Sequence, residues 1–341
     1  MLRIGVMGAA NIAKTRMIPT IIQTDGVEYV GTAVADRSEW DNPLSDEAYV
    51  AVAMRHQKAA QEFSDSFGGE IYQSYMEMLE RDDIDIIYVP LPPSLHYRWG
   101  LEVLKHHKHL LMEKPFTLSV KDTEELLDLA EKEGLSVIEN YGFPLHSQFA
   151  KIKELLGGGT LGDLRLVRTA FGFPHRDASD FRYSRYFGGG ALFDCGGYTL
   201  KMASQFLDEP VELLAPTLVT TPGHEVDVNG SATMTDGNVT VQLAFGMDNA
   251  YKCELELWGS ESTLYAPRIY TAPGDYKANL IIKNNSGEKV IETEPCNQFG
   301  EIVKRLVCAI TDPGLSERIR HEIRLQADLV EKFRKKALQD L

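Results

Sequence analysis

The sequence has 341 residues, of which 43% are hydrophobic and 25% are charged, and its formal net charge at pH 7 is −15. This length and composition are typical of a globular protein with two domains. The acidic balance argues against nucleic acid and anionic membranes as partners. No apolar stretch approaches the ~20 residues that would span a bilayer.

The cysteines indicate neither a metal site nor a redox centre. Four are present, at positions 195, 253, 296 and 308, and no two of them form a close Cys-x-x-Cys pair. This usage fits a reducing compartment. Because the chain also runs directly from Met1 into an apolar strand, without the features of a signal peptide, we expect a cytoplasmic protein.

The first part of the chain alternates short apolar runs with amphipathic stretches, a pattern typical of a doubly wound parallel sheet. The predicted buried strands are Leu2–Met7, Tyr29–Ala35, Ile84–Val89, His109–Met112 and Ser136–Glu139. The predicted helices are Ala59–Phe67, Tyr75–Glu80, Tyr97–His106 and Val120–Glu133. The polar stretch Glu39–His56 is predicted to be an insertion between the second strand and its helix, peripheral to the chemistry.

After about residue 145 the pattern changes to longer strand-like runs separated by turn signals, which indicates a largely antiparallel sheet. The predicted strands are Leu164–Phe173, Glu212–Val219, Ser231–Thr235, Val239–Phe245, Cys253–Trp258 and Leu280–Lys283. The predicted helices are Phe149–Leu156, Phe299–Ile310 and Ser316–Leu338. We predict an α/β protein with a doubly wound domain over residues 1–145. A second α/β domain over residues 146–341 has an open sheet, and its last helix could pack back on the first domain.

A glycine-containing turn follows the first predicted strand. In the pattern Gly-x-Gly-x-x-Gly its positions are Gly8, Ala10 and Ala13, so only the first glycine is kept. In this motif the first glycine makes a tight turn, the second lets the backbone approach a pyrophosphate, and the third allows helix–strand packing. The degenerate motif alone fits a structural turn equally well. Its place after an N-terminal strand favours a Rossmann cofactor site.

The second predicted strand ends at Asp36, where an acidic residue can bind the ribose of NAD. Arg37 and Ser38 follow, and an arginine at this place can instead bind the 2′-phosphate of NADP. Asp36 would repel that phosphate, whereas Arg37 would attract it. A simple turn-capping role for Asp36 is a further alternative. The residues predict NAD or NADP, with NAD preferred.

Two further segments have the character of chemical sites. Lys114, within Glu113-Lys114-Pro115, follows the fourth predicted strand and so faces the crevice in which doubly wound folds bind ligands. The segment Gly188–Tyr198 has three glycines followed by Asp194 and Tyr198, which share a helix face at positions i and i+4. Each segment alone also fits a structural role, as an exposed turn lysine or as a capped helix with a core tyrosine.

The turn Gly8–Ala13, the tripeptide Glu113-Lys114-Pro115 and the segment Gly188–Tyr198, in this order and spacing, resemble the Gfo/Idh/MocA family. The stretches Val89–His96 and Lys108–Leu111 extend the resemblance over essentially the whole chain. The resemblance implies hydride transfer between a nicotinamide and a keto or hydroxyl group of a sugar or sugar nucleotide. The third segment ends in a tyrosine, Tyr198. In this respect the chain resembles the family branch that includes dihydrodiol dehydrogenase, glucose-fructose oxidoreductase and sugar-nucleotide ketoreductases.

The resemblance also implies a set of site residues. The expected cofactor-binding residues are Gly8, Ala10, Asn11, Ile12, Asp36, Arg37, Leu91, Pro92, Ser94, His96, Glu113, Lys114 and Asn140. The expected substrate-binding residues are His146, Gln148, Phe181, Arg182, Asp194 and Tyr198. For His96 and His146 a structural role is an equal alternative. No metal is expected.

The expected catalytic residues are Lys114, Tyr198 and Asp194. Tyr198 is the expected proton donor, and a tyrosine with an ordinary pKa of roughly 10 needs a nearby positive charge to act near neutral pH. Lys114 can supply that charge. Asp194 can bind a substrate hydroxyl or pair with Lys114.

Several alternatives stay open at this point. A glycosidase that keeps its NAD tightly bound and a dihydrodiol or polyol dehydrogenase belong to the same family. A non-catalytic cofactor sensor is the alternative of another class, and the presence of both Lys114 and Tyr198 argues against it. Pro144 and Leu145 stand where the family often has an arginine, which puts part of the substrate contact in doubt. The family also implies a homodimer or homotetramer.

Overall fold

A computed structural model describes residues 1–40 and 45–339, so part of the predicted insertion, residues 41–44, lies outside the described residues. The chain divides into two compact units. The first comprises Met1–Asn140 and Ile302–Arg324, and the second comprises Tyr141–Glu301 and the C-terminal segment from Leu325. Every helix within the described ranges is too short or too polar to span a membrane.

The first unit contains a parallel sheet in the strand order of dinucleotide-binding folds. Its strands are β1 (Leu2–Met7), β2 (Val27–Ala33), β3 (Glu70–Tyr72), β4 (Ile86–Val89), β5 (His109–Met112) and β6 (Val137–Glu139). Their order is β3-β2-β1-β4-β5-β6, and every neighbouring pair is parallel. The order reverses between β1 and β4, which places a ligand crevice at the carboxyl ends of these strands. The predicted doubly wound sheet is confirmed.

Five helices of the first unit connect these strands. They are α1 (Ile18–Gln23), α2 (Asp46–Phe67), α3 (Tyr75–Leu79), α4 (His96–Lys105) and α5 (Val120–Lys132). Three of them begin at a serine whose hydroxyl accepts a backbone N–H of the first turn: Ser45, Ser74 and Ser119. Such caps satisfy N–H groups that have no helical partner.

The helix that follows β2 is much longer than the sequence predicts. The predicted start at Ala59 is wrong, because α2 begins at Asp46 and most of the predicted insertion belongs to the helix. Only Ala60 and Phe63 of α2 are buried. A helix that buries so few side chains shows little apolar periodicity, and periodicity is the main signal in a sequence.

The second unit is built around an eight-stranded sheet. Its strands are β7 (Leu164–Gly172), β8 (Glu212–Val219), β9 (Asn229–Thr235), β10 (Thr240–Gly246), β11 (Lys252–Gly259), β12 (Thr263–Ala266), β13 (Asn279–Asn284) and β14 (Gly287–Glu292). Their order is β14-β13-β12-β11-β7-β10-β9-β8, and only β7 and β10 pair in parallel. Its helices are α6 (Ser147–Gly157) and α7 (Gly197–Ala203). The last two helices, α8 (Gln298–Thr311) and α9 (Pro313–Gln339), each belong partly to the first unit and partly to the second. The predicted, largely antiparallel sheet is confirmed.

One face of this sheet is buried and the other is open. Along β10, Val241, Leu243 and Phe245 are buried and alternate with less buried residues, as the period of two requires. The buried face belongs to one apolar cluster with α6 and α7. On the opposite face, the Trp258 side chain is 49% exposed and lies 5.7 Å from the guanidinium carbon of Arg168.

Candidate active site

The turn after β1 has the backbone conformation expected of the first glycine of the motif. Gly8 adopts a φ of +97°, a conformation that favours glycine. A Cβ at this position would lie 2.8 Å from Cδ2 of Leu91, and the Gly8 N–H donates to the carbonyl of Ala33 on β2 at 2.9 Å. The turn therefore lies close to β2 and to the Leu91 side chain, and its positive φ favours glycine at this position.

The three residues that follow lead directly into a helical segment. The carbonyl of Ala10 accepts the N–H of Ala13 at 3.0 Å, which starts the helical turns. Asn11 and Ile12 lie in the first of these turns. Ala10, Asn11 and Ile12 therefore stand at the strand-to-helix turn, where dinucleotide-binding folds hold the pyrophosphate. Their position in the fold is therefore the one expected of residues that bind the cofactor.

Asp36 caps a short turn rather than ending the strand. The predicted strand end is wrong, because β2 stops at Ala33 and the 3₁₀ turn Arg37–Glu39 begins after Asp36. The Asp36 Oδ1 accepts the N–H of Ser38 at 2.8 Å and its hydroxyl at 2.6 Å. These hydrogen bonds lower the pKa of Asp36. One carboxylate oxygen of Asp36 is therefore engaged within its own turn.

Arg37 lies on the outside of the same turn. Its guanidinium forms an ion pair with Asp46 at the start of α2 and lies 5.0 Å from the ring centre of Tyr49. The Arg37 side chain is 53% exposed. Two residues of the predicted insertion, Asp46 and Tyr49, therefore contact the arginine expected at the cofactor ribose.

Glu113 is held by two neutral donors. Its Oε1 accepts the hydroxyl of Tyr88 on β4 and the amide nitrogen of Asn140, each at 2.6 Å. Glu113 and Asn140 directly follow β5 and β6, so the two candidate residues meet at the carboxyl edge of the sheet. Lys114 comes next, and its bond to Pro115 is cis.

His96 is buried and lies between two backbone carbonyls. Its Nδ1 is 2.7 Å from the oxygen of Pro115 and its Nε2 is 2.8 Å from the oxygen of Leu91. Burial lowers the pKa of His96, and the two carbonyls oppose that effect. The ring thereby links the Leu91 loop, with Pro92 and Ser94, to the turn that carries Lys114.

The segment with three glycines starts the helix that carries the other candidate catalytic residues. The N–H of Ala191 donates to the carbonyl of Asp227 at 2.8 Å, and the N–H of Leu192 donates to its carboxylate at 2.7 Å. Burial raises the pKa of Asp227, and these N–H donors act against that rise. Asp194 lies in the π-helical turn that follows, and Tyr198 lies in the first turn of α7.

Asp194 is paired with a predicted substrate residue. The Nε of Arg182 donates to the carboxylate of Asp194 at 2.8 Å, and its Nη1 is 3.2 Å from the carboxylate of Asp180. Burial alone would lower the pKa of Arg182, but the two aspartates raise it overall. The guanidinium carbon also lies 4.6 Å from the ring centre of Phe181. The structure thus brings Phe181, Arg182 and Asp194 together.

Aromatic rings surround Tyr198. Its ring centre lies 4.9 Å from that of Tyr141, 5.0 Å from Phe171, 5.6 Å from Tyr270 and 6.1 Å from Phe143. Most of these contacts are edge-to-face, the favoured geometry for aromatic pairs. The phenol is therefore held in one orientation by apolar neighbours.

His146 and Gln148 are buried at the start of α6. The His146 Nδ1 accepts the N–H of Gln148 at 3.2 Å, so the neutral ring carries its proton on Nε2. Burial lowers the pKa of His146. The amide nitrogen of Gln148 donates to the carbonyl of Arg268 at 3.0 Å. Nε2 of His146 and Oε1 of Gln148 have no hydrogen-bond partner among the described protein atoms. One buried donor and one buried acceptor are thus left unsatisfied by the described protein atoms.

Some residues that shape these arrangements escape the sequence analysis. Tyr88 lies within an apolar strand, where nothing marks its hydroxyl as a partner of Glu113. Asp227 acts from a loop distant in sequence, and no motif marks it. Among residues 1–40 and 45–339, no group of three or more His, Cys, Asp or Glu side chains could hold a metal ion.

The parallel sheet and its glycine turn define a dinucleotide-binding protein. The chain matches the family model of the NAD-binding Rossmann fold of the GFO/IDH/MocA oxidoreductases over residues 2–141. It also matches the GFO/IDH/MocA C-terminal domain over residues 149–265. The protein belongs to this family, as the motifs predict, and is an NAD(P)-dependent oxidoreductase.

Known relatives match nearly the whole chain. The dTDP-3,4-didehydro-2,6-dideoxy-alpha-D-glucose 3-reductase of Streptomyces violaceoruber is 36% identical over 98% of this chain and 95% of its own length. The enzyme of the same name from Streptomyces antibioticus is 34% identical, over 97% and 95% respectively.

A solved relative has the same fold. A 3-ketoreductase from Actinomadura kijaniata, in complex with NADP and TDP-benzene, is 31% identical, with a TM-score of 0.88 over 98% of this chain and 97% of its own. Other structures of that enzyme carry one lysine replaced by alanine or glutamate, or one tyrosine replaced by phenylalanine.

The second of the three glycines provides a test of the Arg182–Asp194 arrangement. A Cβ on Gly189 would lie 2.3 Å from the carbonyl oxygen of Arg182, so Gly189→Ala must displace the backbone that carries this arginine. We expect the free energy of unfolding, measured in urea, to fall by about 1–3 kcal/mol. Gly157→Ala is the matched control, because nothing lies within 4 Å of a Cβ there. Equal stability of the two variants would contradict this account.

Proposed function

We propose that this protein reduces a keto group, at the 3-position, of a nucleotide-linked deoxysugar with NADPH. The observation that carries the proposal is the presence of Lys114 and Tyr198 and their spacing along the chain. These residues are separated along the chain by the same number of positions as the lysine and tyrosine replaced in the Actinomadura ketoreductase. The names of the Streptomyces relatives supply the substrate class.

Reduction of a ketone requires a hydride at carbon and a proton at oxygen. The bound nicotinamide supplies the hydride, and the protein supplies orientation and the proton. Tyr198 is the proposed proton donor. Its aromatic neighbours hold the ring in place, so that the hydroxyl can meet the substrate oxygen.

Lys114 and Asp194 have separate roles in the proposal. The ammonium group of Lys114 donates a hydrogen bond to the substrate oxygen, where negative charge develops during hydride transfer. Asp194, oriented by Arg182, accepts a hydrogen bond from a substrate hydroxyl.

The proposed sugar-binding groups in the second unit include His146 and Gln148. The Nε2–H of His146 can donate to a hydroxyl oxygen, and Oε1 of Gln148 can accept a hydroxyl proton. Phe181 and Arg182 complete the proposed substrate residues. A site of this kind rejects analogues that lack the hydroxyl, because its own buried polar groups are then left unpaired.

The substrate class can be tested with the wild-type protein. We expect NADPH oxidation with dTDP-linked 3-keto sugars and binding of free thymidine diphosphate by calorimetry. The corresponding free sugars should react at least tenfold more slowly, because they lack the nucleotide part. Robust turnover of simple aromatic diols, with every keto sugar refused, would contradict the proposal.

The catalytic roles can be tested by substitution. Lys114→Ala and Tyr198→Phe should each lower kcat by about 10²–10⁴-fold, the usual contribution of a positioned acid or base. NADPH should still bind both variants, as followed by its fluorescence. The controls are Lys105→Ala and Tyr251→Phe, because both side chains are exposed. A kcat close to wild type in Lys114→Ala, or a change in KM alone in Tyr198→Phe, would refute the corresponding role.

We also propose that NADP, rather than the NAD favoured by the sequence alone, is the preferred cofactor. The Actinomadura relative is solved with NADP. In this chain the carboxylate of Asp36 faces Ser38 in its own turn, while Arg37 lies outside it. Arg37 and Ser38 are the proposed 2′-phosphate ligands, and a guanidinium suits a phosphate because it presents several donors.

The cofactor proposal predicts a selective loss. Arg37→Ala should raise the Kd of NADPH about tenfold and change the Kd of NADH less than about twofold, because only NADPH carries the 2′-phosphate; tenfold corresponds to about 1.4 kcal/mol. Asp46→Asn should strengthen NADPH binding slightly by releasing Arg37 from its ion pair. If the wild type binds NADH more tightly than NADPH, the proposal is refuted and NAD is the preferred cofactor.

Assembly and location complete the proposal. We propose a cytoplasmic homodimer or homotetramer that buries the open face of the second sheet, where Trp258 and Tyr265 are 49% and 37% exposed. Exposed aromatic side chains on a sheet face are typical of an interaction surface. Light scattering should give a multiple of the 38.1 kDa chain mass, and a monomer would contradict this.

A further inference from the structure

Glu39 is a buried carboxylate at the end of the turn that carries Arg37 and Ser38. Its residue is only 6% exposed. Its Oε2 accepts the N–H of Asp36 at 2.8 Å and that of Tyr75 at 3.0 Å, and its Oε1 accepts the N–H of Met76 at 2.9 Å. The carboxylate therefore connects the start of the turn to the first residues of α3.

The turn is closed from both sides by these contacts. The Asp36 side chain accepts the N–H of Ser38, and the Glu39 side chain accepts the N–H of Asp36, which is a capping box. The carbonyl of Glu39 also accepts a hydrogen bond from Nη1 of Arg98 on α4, at 3.1 Å. The backbone on both sides of Arg37 and Ser38 is thereby fixed to two helices.

A buried carboxylate is stable only where donors replace its water. Here three backbone N–H groups do so, and each of them would lose its partner if the carboxylate were removed. The Glu39 carboxylate therefore does more than cap its own turn, because it also binds two backbone N–H groups of α3. It determines where the backbone of residues 37 and 38 stands relative to the rest of the first unit.

We propose that Glu39 is a positioning residue that sets the preference for NADPH over NADH, an inference that rests on the proposed 2′-phosphate site. The 2′-phosphate is the only group in which the two cofactors differ. If Glu39 holds Arg37 and Ser38 in place before binding, the phosphate need not order the turn itself. Contacts made by the Gly8 turn are common to both cofactors.

The test is the ratio of the two dissociation constants in Glu39→Gln. Glutamine keeps the shape of the side chain but puts an NH₂ donor against a backbone N–H. We expect the Kd of NADPH, from its fluorescence, to rise about tenfold and the Kd of NADH to change less than about twofold. A role in general stability alone would change both constants alike, and that result would overturn the inference.

Matched variants keep the test decisive. Glu77→Gln is the control, because Glu77 is an exposed carboxylate on α3 that also accepts a backbone N–H. It should keep the wild-type ratio. If Glu39→Gln fails to fold, Glu39→Asp serves instead, since its shorter side chain cannot reach both Asp36 and α3. The same change in the ratio is expected, and an unchanged ratio refutes the inference.

The Arg37→Ala measurement separates the two proposals. If Arg37→Ala abolishes the preference for NADPH and both Glu39 variants retain it, the 2′-phosphate site stands and the role of Glu39 fails. If the wild type prefers NADH, the phosphate site and the role of Glu39 both fail.

Discussion

The parallel pairing of β1 with its neighbours is the constraint on which the first unit depends. Because all six strands run the same way, their carboxyl ends share one edge of the sheet. Gly8, Asp36, Leu91, Glu113 and Asn140 each follow a different strand at that edge. Residues far apart in sequence therefore meet without a dedicated motif. The contact of Gly8 with the Leu91 loop and the hydrogen bond of Asn140 to Glu113 are direct results.

The sequence predicts what depends on local patterns and misses what depends on distant contacts. Buried strands such as β1 and β5 are predicted with correct bounds, because continuous apolar runs mark them. The three-residue β3 and the exposed start of α2 lack any such signal. At the site, the motifs identify Lys114 and Tyr198 as candidates. They do not reveal that Glu39 holds the turn Arg37–Glu39 in place. Its carboxylate binds three backbone N–H groups, and the sequence does not specify which backbone groups come together.

Polar side chains in the site regions are mostly held by neutral or backbone donors. Glu113 is bound by a phenol and an amide, Glu39 by backbone N–H groups, and Asp227 by the N–H of Leu192. Such donors orient the carboxylates through hydrogen bonds. The pair of Arg182 with Asp194 differs, because there a cation and an anion orient each other. Removal of either partner would break this largely buried ion pair, which is costly.

The net charge of −15 opposes the binding of an anionic cofactor and of the proposed anionic nucleotide sugar. Screening resolves the conflict, because exposed charges more than about 8 Å away are largely screened at physiological salt. Binding therefore depends on the few cations near each phosphate. At the proposed 2′-phosphate site, Arg37 forms an ion pair with Asp46 and directly follows Asp36 in the chain. The backbone that carries Arg37 must consequently be held where the guanidinium can meet the phosphate while Asp36 faces its own turn. The three N–H groups bound to Glu39 impose that geometry.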